Sequence, residues 1–202
     1  MHKFLKQTIL LSSLFIIFLL ININSYSKEV SANLCDNFFR LHIIANSNIS
    51  HDQNIKLKLR DYLIEYLNEK NLATSSKEIT MSNIKSILPE LTALCNNFLK
   101  ENNIPYTSKL EIGTFYFPTK HYENISLPKG YYDALKISLG NASGENWWCS
   151  LYPPLCFFSS SQGVITDEAD NNLSENLPRE EYNLVKSSSK PIKLKFKLLE
   201  LF

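Results

Sequence analysis

Few side chains of this 202-residue chain could do acid–base or nucleophilic chemistry. His42, His51 and His121 offer imidazoles, and Cys149, Cys156 and Ser47 offer nucleophilic atoms. A hydrolytic site needs a nucleophile, a base and an orienting group held together. None of these residues stands in a nucleophile elbow, an HExxH or another motif of diagnostic spacing. Zinc-ligand spacing is also missing, since the chain has no CxxC and no HxxxH. Glu180 and Glu181 are adjacent carboxylates, but they sit in an acidic stretch that reads as a solvated face. The sequence therefore predicts no catalytic residue, no metal and no cofactor. Its one hydrolase candidate is His42 or His121 working with Cys149.

A different kind of site is concentrated in Gly144–Phe157. These fourteen residues hold both tryptophans, two of the four cysteines and the pair Pro153-Pro154. Proline fixes φ, so little entropy remains to be lost when such a segment binds, and Trp and Tyr are enriched at interaction hot spots. The plainer reading is a core wall, with Trp147 and Trp148 pointing to opposite sides, one buried and one exposed. Cys149 and Cys156 flank the stiff part of this segment and are the first choice for a disulfide. The four cysteines allow three pairings, and small buried thiols are the alternative.

Positioning these residues requires an exported, folded domain. Residues 1–27 have the layout of a secretory signal peptide: Lys3 and Lys6, an apolar run Ile9–Ile21, then Ser25 and Ser27 before a cleavage point. The thirteen-residue run covers about 20 Å, short of a hydrocarbon core; with no charge from Gln7 to Ser27, an uncleaved anchor contacting the membrane is the alternative. Without residues 1–27 the chain carries 19 basic and 20 acidic residues. That balance excludes the electrostatic footprint of a nucleic-acid binder.

The expected fold is α+β, two helices on a small mixed or antiparallel sheet, in a single domain over 34–158. Phe38–Ala45 reads as a strand with Leu41, Ile43 and Ala45 facing the core and Arg40, His42 and Ile44 turned away. A helix over 51–70 follows, opened by a capping box Ser50-x-x-Gln53, with Ile55, Leu59, Tyr62, Leu63 and Tyr66 on one stripe. A second helix over 82–101 must kink or start near Pro89. Strands end at Pro118 and cover Tyr131–Leu139. Residues 159–189, net −5 between Asp167 and Glu181, read as a polar acidic linker or a long excursion, and 190–202 as a final edge strand with alternating lysines.

Two ordered signatures make the chain recognisable. Arg40-Leu41-His42-Ile43-Ile44-Ala45-Asn46-Ser47 followed by Asp52-Gln53-x-x-Lys56-Leu57-Lys58-x-Arg60-Asp61 resembles the opening of the stage II sporulation protein R family. Leu127-Pro128-x-Gly130-x-Tyr132-x-Ala134-Leu135 and Asn146-Trp147-Trp148-Cys149-x-Leu151-x-Pro153-Pro154-Leu155-Cys156 resemble its second half. The chain departs from the pattern at Asn48, where an acid is common, and in Cys35 and Cys95. The resemblance implies a signalling protein of endospore-forming bacteria, exported from the forespore into the space between two membranes. There it would activate a membrane-embedded aspartic protease, which processes the sigma-E precursor in the mother cell. The member would be a ligand rather than an enzyme. Its expected partner surface joins Arg40, His42, Asn46, Ser47, Asp52, Lys56, Lys58, Arg60 and Asp61 with Asn146, Trp147, Trp148, Pro153 and Pro154. The rival readings are an exported hydrolase and a wall-binding module stacking sugars on the two tryptophans.

Overall fold

A computed structural model describes residues 2–72, 76–122, 125–158 and 167–187. The apolar N-terminus continues as one helix, α1 (His2–Asp36), past the expected boundary at Ser27. Leu10 to Ile21 are all exposed. Among the described residues no helix is long and apolar enough to cross a membrane. At the other end of α1, Leu34 and Cys35 are buried in the domain. Lys77 fastens this end: its Nζ donates to the Asp36 carbonyl at 2.7 Å and pairs with Asp133 at 2.7 Å, a cation at a helix C-terminus as the dipole favours.

The strand β1 (Phe39–Ile44) leads into α2 (Ser50–Glu69), whose inward stripe is Ile55, Leu59, Leu63 and Leu67. The expected capping box is not made. Ser50 is already helical, Ile49 is the N-cap residue, and the Gln53 amide instead donates to the Ser47 carbonyl at 2.8 Å. The second predicted helix is two helices, α3 (Lys77–Ser86) and α4 (Leu88–Glu101), separated at Ile87. Pro89 falls in the first turn of α4, where a missing N–H leaves no bond unmade. Ser76 caps α3 by accepting from the Ile79 N–H at 3.2 Å.

The chain then forms β2 (Ser108–Phe117), a hairpin of β3 (Lys120–Tyr122) and β4 (Ile125–Leu127), β5 (Gly130–Leu139) and β6 (Asn146–Tyr152). Three helices follow: α5 (Leu155–Phe158), α6 (Asp167–Asn176) and α7 (Arg179–Ser187). The main sheet has the order β2-β5-β1-β6, with β1 parallel to β5 and the other pairs antiparallel. The α+β class with a mixed sheet is therefore observed.

Two further expectations are corrected. Both faces of β1 are closed, not one: Leu41 and Ile43 are fully buried, but so is Arg40, and His42 is 7% exposed. The hairpin β3–β4, too short to leave a sequence signal, covers that second face. Of the two readings of the acidic stretch, the solvated linker fails over 167–187 and an excursion packed on the domain holds. It forms α6 and α7, whose Leu173 and Val185 are fully buried in the core. Their helical spacing is masked by the surrounding charges, one pair of which, Lys186 and Asp170, meets at 2.6 Å between the two helices. The predicted C-terminal strand 190–202 lies outside the described residues.

Candidate functional site

The turn after β1 folds back onto the start of α2 and is held by one carboxylate. Asp52 is 3% exposed. Its Oδ2 accepts from Asn46 Nδ2 at 2.7 Å and Ser47 Oγ at 2.6 Å, and its Oδ1 from the Tyr106 hydroxyl at 2.9 Å. Burial pushes the carboxyl up, but the hydrogen bonds from Ser47, Asn46 and Tyr106 outweigh it and leave the pKa below the usual value. Asn46 also reaches the β5–β6 loop: its Oδ1 accepts from the Asn141 N–H at 2.9 Å, and its carbonyl from the Ser143 hydroxyl at 2.7 Å.

One turn along α2, Lys56 is 4% exposed. Its Nζ donates to Gln53 Oε1 at 2.7 Å and to the Glu145 carbonyl at 3.0 Å, tying the helix to the residue before β6. Burial lowers its pKa. Arg60 is 6% exposed; its Nε and Nη2 both lie 2.7 Å from Asp61 Oδ1, and its guanidinium is 5.2 Å from the centre of the Trp147 ring. The two separate stretches of the expected surface are thus neighbours in space, joined by Lys56–Glu145 and Arg60–Trp147.

Trp147 and Trp148 do point to opposite faces of β6, yet both are half-buried. Trp148 stacks on His42 with ring centres 3.7 Å apart and planes at 17°. His42 Nε2 lies 2.7 Å from Asn146 Oδ1, so the imidazole donates there. Burial lowers the His42 pKa to about 4, helped by the charges of Lys136 and Arg40 and opposed by the bond to Asn146. The Arg40 guanidinium lies over the rings of both Phe117, at 4.4 Å, and Tyr132, at 4.9 Å. Its Nε donates to the Cys149 carbonyl at 3.1 Å and its Nη2 to the Tyr122 hydroxyl at 3.2 Å. It meets no carboxylate among the described residues, so ring faces and carbonyl dipoles hold this charge.

Cys149 and Cys156 are bonded to each other, and Cys35 and Cys95 are buried free thiols. Pro153 is buried and Pro154 half-buried within the closed loop. Lys58 and Asp61 remain exposed on α2.

A sequence model described as stage II sporulation protein R matches residues 35–162. The chain belongs to the stage II sporulation protein R family. Stage II sporulation protein R of Bacillus subtilis (strain 168) is 36% identical over 141 residues, which cover 67% of this chain and 61% of that protein. This chain thus spans less than two thirds of the relative's length. No solved structure matches.

The matched segment of this sporulation protein R family member runs from the end of α1 past α5 and holds every candidate residue. Sequence reading passed over four residues of the site: Tyr106, Tyr122, Gly140 and Gly144. Gly140 has φ +53°, and a Cβ at Gly144 would overlap the Ser47 carbonyl. The pattern Gly-x-x-x-Gly after a strand is a turn signal, but it does not name Asn46 and Ser47 as the groups approached. Gly144→Ala is expected to cost about 1–3 kcal/mol, because backbone must move aside for the methyl group. A fall in the urea midpoint at unchanged slope checks this.

Proposed function

We propose that this protein is an activating ligand in sporulation, exported from the forespore into the space between the two membranes. There it engages the extracytoplasmic part of a membrane-embedded aspartic protease and favours its active arrangement. The protease then removes the pro-segment of the sigma-E precursor in the mother cell. A ligand shifts such an equilibrium only by binding the active arrangement more tightly. The observation that carries this reading is the family match over 35–162, which contains the joined α2 and β6 surface. Residues 1–27 would serve export, or anchorage in the membrane if retained. The partner is a protein; nucleic acid has no part in the reading.

The geometry weakens both rivals. The hydrolase reading loses its thiolate, since the Cys149 sulfur is bonded to Cys156, and His42, with its pKa lowered to about 4, is a weak base whose Nε2 is committed to Asn146. His121 Nδ1 does lie 2.7 Å from Ser126 Oγ, but Ser126 is 2% exposed. A sugar-stacking platform would need both tryptophans on one side, and they sit on opposite faces of the sheet, each already covered by Arg60 or His42.

The test is made in growing, non-sporulating cells that produce the matching protease and sigma-E precursor. Adding this protein is expected to shorten the precursor on a gel, only when residues 1–27 are present, and equally with His121→Ala. Unshortened precursor, with all partners present and the protein exported and folded, would overturn the reading.

A further inference from the structure

The outward side of α2 is the part of the joined surface that folding leaves uncommitted. Asp52, Lys56 and Arg60 turn inward and spend their polar atoms on the loop before α2, the β5–β6 loop and Asp61. Leu57, 37% exposed, Lys58 and Asp61 turn outward. The last two, with His51, Asn54 and Asn102 at the end of α4, line an open groove of about 410 Å³ to which Leu57 also contributes.

The charges in this groove are unequal in what they need. Arg60 answers the Asp61 carboxylate from within the molecule. Lys58 makes no ion pair among the described residues. An unanswered ammonium beside an exposed leucine selects a segment with a carboxylate next to an apolar side chain. Neither group is needed for the core, so this preference comes at no cost to folding.

We propose that the α2 groove docks a partner segment that places an acidic side chain on Lys58 and an apolar one on Leu57. This rests on the reading of the chain as the protease's ligand, and the segment then belongs to the protease's extracytoplasmic part. Contact at the groove sets affinity, while the buried Asp52, Lys56 and Arg60 hold the helix in register with β6.

The full chain is tested in the same cells. Leu57→Ser with Lys58→Glu is expected to slow precursor shortening about tenfold, as loss of a docking anchor does. Lys109→Glu, on the outer strand β2, is expected to stay within about twofold, since a rim charge away from the contact matters little. A photoreactive phenylalanine at Asn54 is expected to cross-link to the protease, and one at Lys109 is not. Normal shortening by the double variant, or equal cross-linking from both positions, overturns the groove and leaves the ligand reading standing. Cross-linking from Asn54 to a second copy of the chain instead assigns the groove to self-association and also overturns it. Failure of the unaltered protein to shorten the precursor removes the ligand reading, and the groove proposal falls with it. Circular dichroism and urea midpoints matching the unaltered protein establish that the variants fold.

Discussion

Replacing Asp52 with alanine is expected to lower the unfolding free energy by about 3 kcal/mol, among the largest effects of any single polar substitution here. Three donors converge on this carboxylate, from Asn46, Ser47 and Tyr106. Truncation strands three half-buried donors at once around the space the carboxylate filled, and a donor left without its acceptor costs more than a hydrogen bond is worth. Asp52→Asn is expected to cost somewhat less, because an amide keeps one acceptor but turns its NH₂ toward another donor. The effect has a pH signature whose sign follows from linkage. The native pKa lies below the unfolded one, so the stabilisation is present above the unfolded pKa and disappears as pH falls through the native value. Urea unfolding of the variants at neutral and acid pH checks both statements; an Asp52→Ala midpoint equal to that of the unaltered protein would rule out the network as a structural clamp.

Acidification toward pH 4 is expected to destabilise the protein through His42 by about 3 kcal/mol in all. The native imidazole stays neutral down to about pH 4, against an ordinary value of 6.5. Between those values the unfolded chain binds a proton that the native protein refuses. The contribution is therefore fully present above pH 6.5 and is lost as pH falls to about 4. The causes are visible: burial beneath Trp148 and Phe117, with Lys136 and Arg40 on the same sheet face. A His42→Gln variant is expected to be less stable at neutral pH but to have a flatter profile across this window. An unchanged slope in that variant would show that other groups carry the acid response. Because a neutral His42 donates to Asn146, the same measurement reports on how firmly β6 is seated against β1.

Breaking the Cys149–Cys156 bond is expected to have a smaller effect. The bond closes a loop with a sequence separation of 7, and chain entropy for so short a loop gives about 2 kcal/mol. Cys156→Ser measured by thermal unfolding is the check.

Much of this protein is written in local patterns. The period of Ile55, Leu59 and Leu63 specifies α2, the alternation in Leu135, Ile137 and Leu139 specifies β5, and Pro89 specifies the break before α4, because each signal is carried by residues that act within one element. The two signatures identified the family in the same way, as ordered strings. Their roles were less legible. Arg40, His42, Asp52, Lys56 and Arg60 have the composition of a binding surface, and tertiary structure buries all five. A charge is buried only where donors, carbonyls or ring faces from distant segments receive it. Those partners are Tyr106, Tyr122, Phe117, Tyr132, Glu145 and Trp147, which no spacing rule connects to them. The acidic helices α6 and α7 were hidden for a related reason: only docking tells a charged amphipathic helix with few apolar residues from a solvated linker. What the sequence determined alone is the elements and the family. Tertiary structure decided which polar side chains are clamps and which, like Lys58, are left facing outward, because desolvation and pairing are properties of contacts between segments far apart in the chain.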